Sequence, residues 1–381
     1  MIGNWNYPTS VKFGAGRISE IAALCRSAGI LRPLLVTDSG LASNPMVAST
    51  LAILRADGLA AELFAEIKPN PIGANVEAGV TAYGAGNHDG VIAFGGGSAL
   101  DVGKVIAFMS GQTRPMWDFE DVGDWWARAD PAGIAPVIAV PTTSGTGSEV
   151  GRAGVITDEA THTKRIIFHP KMMPVITLCD PELTLGLPAH LTAATGMDAL
   201  SHCLEAYCAP GFHPMADGIA VEGMRLVKEA LQTATHKGSD IDARAKMMVA
   251  AAMGATAFQK GLGGMHALAH PIGAVFDTHH GLTNAVLMPY VLTFNRSVIE
   301  ERIDRLAAYM GLEGGFDGFQ AWVLEMRKDL GIPHALSALN VDAAKADLIA
   351  AMAVDDPSAG GNPIKLDVVA TRRIFDEAMA G

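Results

Sequence analysis

Two rhythms of apolar and polar residues divide this chain. In the first half, short runs rich in β-branched residues stop abruptly at glycine, proline or serine. Leu34-Leu35-Val36-Thr37 stops at Asp38-Ser39-Gly40, Gly90-Val91-Ile92-Ala93-Phe94 at Gly95-Gly96-Gly97-Ser98, and Pro136-Val137-Ile138-Ala139-Val140 at Pro141-Thr142-Thr143-Ser144-Gly145-Thr146-Gly147. Runs without polar interruption are what parallel strands buried on both faces require. Stretches 18–28 and 99–109 between them predict helices, so the rhythm is the βαβ alternation of a doubly wound sheet. After about Pro188 the β-branched runs nearly vanish, and Ala, Met, Leu, Glu and Lys take over. Stretches 216–233, 243–258 and 343–352 there predict helices of a bundle. The pattern therefore predicts an α/β domain over residues 1–187 and an all-α domain over 188–381, the change falling around Leu183-Thr184-Leu185-Gly186-Leu187-Pro188. Residues 124–136, with Trp125-Trp126, read as a surface loop.

Length agrees with this division, since 381 residues at roughly 150 per domain makes two domains. A hydrophobic share of 49% with 18% charged residues excludes a disordered chain. The 28 basic against 40 acidic residues leave a net charge of −12. Such a surface repels phosphate backbones and anionic lipid, so neither nucleic acid nor a membrane is the expected partner. No apolar run approaches the ~18 residues of a membrane helix. The opening Met1-Ile2-Gly3-Asn4-Trp5-Asn6-Tyr7-Pro8 has neither basic region nor apolar core, so no signal peptide is expected. Cys25, Cys179, Cys203 and Cys208 are too few and scattered for a disulfide framework, which points to a reducing cytoplasm.

Gly95-Gly96-Gly97-Ser98 follows a predicted strand and opens a predicted helix. Phosphate binding needs backbone N–H groups that approach the anion unobstructed by a Cβ, and a helix N-terminus adds a favourable dipole. A lone glycine triplet is as readily an ordinary turn. The second loop, Pro141 to Glu149, also leaves a strand end and carries several hydroxyls, and two such loops at one sheet edge suggest a nucleotide site. Gly14-Ala15-Gly16 begins like a dinucleotide fingerprint but lacks its third glycine and follows no clear strand, so it reads as a chance partial match. Asp38, placed to meet an adenine ribose, precedes the glycine loop instead of following it, a departure from the standard order. Its other reading is a cap on a turn.

The second half carries a different chemistry. Asp198 and His202 are spaced to stack on one helix face, with Thr192 a candidate N-cap. His266 and His270 form another such pair, and His279-His280-Gly281 follows at a helix–loop junction. Each histidine alone reads best as a satisfied polar group. Together, one carboxylate and several imidazoles in an apolar helical setting suit a divalent transition metal such as Fe(II) or Zn(II). His279 is the weakest of the set and reads as surface or outer-layer. H-E-x-x-H, G-x-S-x-G and the phosphate-loop pattern G-x-x-x-x-G-K-[ST] are all absent, which argues against protease, hydrolase and Walker-type NTPase classes.

These blocks, with Asp101, Lys104, Asp180-Pro181-Glu182-Leu183-Thr184 and His280-Gly281-Leu282-Thr283-Asn284-Ala285, resemble the iron-containing (group III) alcohol dehydrogenase family over nearly the whole chain. The resemblance implies the dehydroquinate synthase-like fold: an NAD-binding α/β N-terminal domain, a helical C-terminal domain and a catalytic metal in the cleft between them. It implies Asp198, His202, His266 and His280 as metal ligands and His270 as a further active-site histidine. Asp38, Asn70, Gly96, Gly97, Ser98, Asp101, Thr142, Thr143, Thr146 and Lys164 fall at dinucleotide positions. Gly151, where many members carry a hydroxyl residue, and His279 depart from the pattern. The implied activity is reversible hydride transfer between NAD and a small primary alcohol, such as a diol or a short ω-hydroxy acid. The acidic, Met-rich helical surface allows a homodimer. A divalent cation serves this reaction by lowering the pKa of the alcohol. The alternative is an NAD- and metal-dependent cyclase of the dehydroquinate synthase type, which needs basic residues near the metal, where this sequence is apolar. A protein that keeps the fold without catalysis is a further reading, opposed by the intact ligand set and both loops. Arg152 reads first as a structural ion pair and second as a contact to a substrate carboxylate.

Overall fold

The computed structural model describes residues 8–161 and 163–381; the signal-peptide expectation concerns residues 1–7 and lies outside them. Two compact units emerge, one of residues 8–143 and 147–186, the other of residues 187–381 with 144–146.

The first unit is built on six parallel strands: β1 (Ser10–Phe13), β2 (Pro33–Val36), β3 (Glu62–Phe64), β4 (Gly90–Gly95), β5 (Val137–Pro141) and, after a hairpin, β8 (Ile176–Cys179). Their spatial order is β1-β8-β5-β4-β2-β3. The hairpin pairs β6 (Ala153–Asp158) with β7 (Thr163–Phe168) antiparallel, Ala153 opposite Phe168. Helices α1 (Ile21–Ser27), α2 (Pro45–Ala56), α3 (Gly73–Ala85) and α4 (Gly97–Met109) cover the sheet. Successive strand residues point to opposite faces, and the core divides accordingly. Val91 and Ala93 join Val76 of α3 and Val102, Val105 and Ile106 of α4, whereas Ile92 and Phe94 join Ile21 and Leu24 of α1 and Val47, Leu51 and Leu54 of α2. This is the doubly wound arrangement the uninterrupted apolar runs require.

Two details depart from expectation. Gly14-Ala15-Gly16 does follow a strand, because β1 pairs with β8. That strand lies at the sheet edge with Val11 and Phe13 exposed, so it lacks the continuous burial that makes an inner strand readable. The stretch 18–28 splits into a 3-10 turn (Arg17–Glu20) and α1.

The second unit contains eight α-helices among its described residues: α5 (Ala189–Cys208), α6 (Pro214–His236), α7 (Ile241–Ala257), α8 (Gly264–Phe276), α9 (His280–Tyr309), α10 (Gly315–Asp329), α11 (Ala346–Asp355) and α12 (Val368–Ala380). Thr192 is not the N-cap of α5. The helix begins one turn earlier, behind Pro188, and the Thr192 hydroxyl donates to the Pro188 carbonyl at 3.1 Å and accepts from Arg244 Nη1 at 2.7 Å. Side chains cap four other helices: His213 for α6, Asp240 for α7, His279 for α9 and Asp367 for α12 accept first-turn N–H groups. Met197, Leu200 and Leu204 of α5 meet Met224 and Val227 of α6, Met247 of α7 and Leu287 of α9 in one apolar core. Among the described residues, no helix is long and apolar enough to cross a membrane.

Candidate metal and dinucleotide sites

Three helices of the second unit converge on one carboxylate oxygen. Asp198 and His202 come from one face of α5, His266 from the first turn of α8 and His280 from the first residue of α9. Nε2 of His202, His266 and His280 stands 4.0, 3.9 and 3.7 Å from Asp198 Oδ1, and the four side chains' ligand atoms lie within 4.8 Å of one another. Asp198, His202 and His266 are buried and His280 half-buried. The His202 and His266 rings stack at 4.7 Å between centroids. Gly281 makes this convergence possible, since a Cβ there would overlap the Ala194 carbonyl oxygen and stand 2.9 Å from Asp198 Cβ. Only a glycine lets α9 start against α5 at this point.

The donor set suits a divalent transition metal. Burial, with His202 close by, pushes His266 well below the ordinary histidine range, so its imidazole is neutral and offers a lone pair. Four donors around an ion at ~2.1 Å would sit about 3.4 Å apart, slightly closer than they stand here. Asn284, one turn beyond His280, supplies a second indication. Its Nδ2 lies 3.0 Å from Asp198 Oδ1, 3.1 Å from His266 Nε2 and 3.2 Å from His280 Nε2. Three acceptors crowd a group with only two protons, a surplus that a cation satisfies.

Around these four lies an outer layer. Glu205 Oε2 meets His266 Nδ1 at 2.6 Å. His270, one turn beyond His266, stacks its ring on His280 at 5.2 Å and gives Nδ1 to Asp356 Oδ2 at 2.8 Å. Burial raises the Asp356 carboxyl, but His270 and Ser358 outweigh it and hold the group below the usual carboxylate range. His279 is the N-cap of α9, its Nδ1 facing Leu282 N–H at 3.4 Å. Sequence reasoning missed Glu205, Asn284 and Asp356. The first two are one helical turn from His202 and His280, a spacing that could have marked them. Asp356 carries no such signal.

In the first unit the glycine loop takes the geometry its sequence promises. Gly95 ends β4 with φ +145°, a conformation L side chains rarely adopt, and Gly96 caps α4. Gly97 and Ser98 form the first turn of α4 and are half-buried, a helix N-terminus suited to an anion. Asp38 follows β2. Its Oδ1 accepts Leu41 N–H at 3.0 Å, so it does cap a turn; its Oδ2 lies 3.3 Å from where a Gly95 Cβ would stand, beside the loop. Thr142 N–H donates to the Gly95 carbonyl at 2.9 Å, and the Thr143 methyl lies 3.3 Å from a Cβ built at Gly96. Lys164 Nζ donates to Asn70 Oδ1 at 3.1 Å, pairing two candidates far apart in sequence. Thr146 belongs to the short stretch grouped with the helical unit.

Asp101 spends both carboxylate oxygens on the protein, accepting the Ser148 hydroxyl at 2.5 Å and Val155 N–H at 3.0 Å. The buried Lys104 ammonium donates to the Ser148 and Ala153 carbonyls. These two residues fasten the segment after the second loop onto α4. Arg152 lays its guanidinium over the Phe168 ring at 5.4 Å.

Residues 8–181 match the family model described as iron-containing alcohol dehydrogenase, and residues 192–379 match that of the Fe-containing alcohol dehydrogenase family, C-terminal. The chain is 40% identical to a 4-hydroxybutyrate dehydrogenase of Cupriavidus necator, over 98% of this chain and 99% of the relative. It is 33% identical to an NAD-dependent methanol dehydrogenase of Bacillus methanolicus, over 99% and 100%. A crystal structure of a 1,3-propanediol oxidoreductase superposes with a TM-score of 0.95 at 34% identity, covering the whole of both chains.

Proposed function

Because this chain belongs to the iron-containing alcohol dehydrogenase family, we propose that it is the NAD-linked dehydrogenase of a short ω-hydroxy acid, with diols as secondary substrates. That it is an alcohol dehydrogenase follows from the family; the ω-hydroxy acid is favoured by the identity to the Cupriavidus protein along nearly its full length. The observation that carries the reading is the convergence of Asp198, His202, His266 and His280 on one point. In this reading they hold Fe(II), with Zn(II) able to substitute, while the first unit holds the dinucleotide. Gly96, Gly97 and Ser98 take its pyrophosphate at the α4 N-terminus, Asp38 its adenine ribose, and Asn70, Thr142, Thr143 and Lys164 the remainder. Asp101 supports that site through Ser148.

When bound, the ion supplies Lewis acidity at the alcohol oxygen and NAD the hydride acceptor. The chain's own part concerns the proton. An ionised Asp356 accepts the Nδ1–H of His270, which leaves His270 Nε2 with the lone pair that takes up the alcohol proton. Asp198 carries the negative charge beside the cation, and burial keeps His266 neutral. The place of β1 at the edge of the sheet among the described residues, with Val11 and Phe13 exposed, favours a homodimer. The four free thiols suit a reducing cytoplasm.

The test is NADH formation by metal-reconstituted enzyme with 4-hydroxybutyrate, 1,3-propanediol and methanol. The hydroxy acid is expected to give the highest kcat/KM and the diol the next. A preference for methanol would overturn the substrate assignment, and no turnover of any of the three would overturn the activity.

A further inference from the structure

The N-terminus of α8 is capped from outside its own sequence. Its N-cap residue, Gly263, has no side chain to offer, so the first-turn N–H groups look elsewhere. Asn362 Oδ1 takes that of Gly264 at 3.0 Å. The buried Glu205, one turn beyond His202 on α5, takes that of Met265 on Oε1 at 2.6 Å. Its other oxygen faces Nδ1 of His266 at 2.6 Å.

Burial raises the Glu205 carboxyl to about 7, against backbone donation that lowers it. On the other side of the ring Asn284 Nδ2 donates to His266 Nε2 at 3.1 Å, so the proton of the short contact with Glu205 Oε2 sits on Nδ1 of His266. The lone pair of the ring is then on Nε2, the atom 3.9 Å from Asp198 Oδ1. With the opposite tautomer, an N–H would point into the centre and His266 could not be a ligand. Glu205 also borders a pocket lined mainly by apolar side chains, among them Leu204, Val291 and Leu292, together with Asn295 and Asn362.

We propose that Glu205 is the positioning residue that fixes the tautomer of His266 and thereby sets how tightly the centre holds its ion. This rests on the reading of Asp198, His202, His266 and His280 as the ion-holding set. Glu205 touches neither ion nor substrate; it acts through the imidazole.

Glu205→Gln is the discriminating change, since glutamine keeps the shape but has one acceptor oxygen instead of two. Either its amide donates to Nδ1 and drives the His266 proton to Nε2, or it confronts Met265 N–H. The zinc dissociation constant of metal-free protein, measured by competition with a chromophoric chelator, is expected to rise about 10- to 100-fold, with the helical circular dichroism unchanged. In a His266→Ala background the same change is expected to add nothing. Unchanged zinc affinity, or an equal loss in the His266→Ala background, overturns the proposal while leaving the metal site intact. Failure of the wild type to bind zinc overturns the metal site itself and this inference with it. Should Glu205→Gln not fold, ¹⁵N spectra of histidine-labelled wild type decide: a proton on Nδ1 of His266 is expected, and one on Nε2 overturns the proposal.

Discussion

Replacing Asp356 by asparagine separates the proton-handling part of the site from the metal-holding part. Asp356 does two things: Oδ1 accepts Ser358 N–H at 2.8 Å, and Oδ2 accepts from His270 Nδ1 at 2.8 Å. Asparagine retains an oxygen for the first bond and so keeps the turn. Opposite His270 it places an NH2 group, which donates to Nδ1 and leaves the ring proton on Nε2, where it cannot accept another. The two side chains are only 17% and 11% exposed, so little solvent screening applies. A hydrogen bond to a charged partner contributes about 1.5–3 kcal/mol. At about 1.4 kcal/mol per tenfold, kcat should fall roughly 10- to 150-fold. His270→Ala should cost on the order of 10²–10⁴-fold, and adding Asp356→Asn to it should cost nothing more, because the carboxylate acts only through the ring. Steady-state NADH formation gives kcat and KM for the four proteins, and metal analysis should find the same ion content in all. The reasoning is refuted if Asp356→Asn runs at the wild-type rate, or loses the same factor whether or not His270 is present. Metal content in His270→Ala as low as in His266→Ala would make His270 a ligand.

Three further outcomes follow from the geometry. Wild-type enzyme should prefer NAD over NADP by at least tenfold in kcat/KM, about 1.4 kcal/mol, and Asp38→Gly should shrink that ratio chiefly by improving NADP; equal use of both cofactors, or an unchanged ratio, shows that Asp38 is not the discriminator. Gly281→Ala forces a methyl against the Ala194 carbonyl and Asp198, so it should cost about 1–3 kcal/mol, lowering Tm by several degrees and weakening zinc binding; an unchanged melt and titration contradict the close contact of α9 with α5. Burial pushes the thiols of Cys25, Cys203 and Cys208 up to about 12, and that of Cys179 well above its ordinary value, so a disulfide reagent at pH 8 should react with native protein far more slowly than with the four thiols freed by guanidinium.

What the sequence discloses follows from where each element sits. The three strands its pattern predicts, β2, β4 and β5, are adjacent inner strands of the sheet, buried on both faces and therefore written as unbroken apolar runs; the fourth inner strand, β8, is only four residues long, ITLC, with polar Thr177 inside it. The edge strands β1 and β3 and the hairpin β6–β7 keep exposed or half-buried positions, so their composition blends into loops. The pairs Asp198/His202 and His266/His270 are legible because one helical turn brings each pair to one face. That α5, α8 and α9 bring them to a common point is tertiary information, carried in part by Gly281. Glu205 and Asn284 share the same helical spacing but are ordinary residue types on buried faces, and no local rule connects Asp356 with His270. Asp101 falls at a dinucleotide position by family resemblance, and its carboxylate ties α4 to Ser148 and Val155.

The most direct test of a metal-dependent dehydrogenase built on Asp198, His202, His266 and His280 is a titration of activity. Enzyme stripped by a chelator receives Fe(II) or Zn(II) in increments, and NADH formation from 4-hydroxybutyrate is followed against bound metal. The expected result is no turnover without metal, recovery that saturates near about one ion per chain, and much weaker binding without recovery in His202→Ala or His266→Ala. Full activity in thoroughly stripped wild-type enzyme, or undiminished metal binding in those variants, contradicts it.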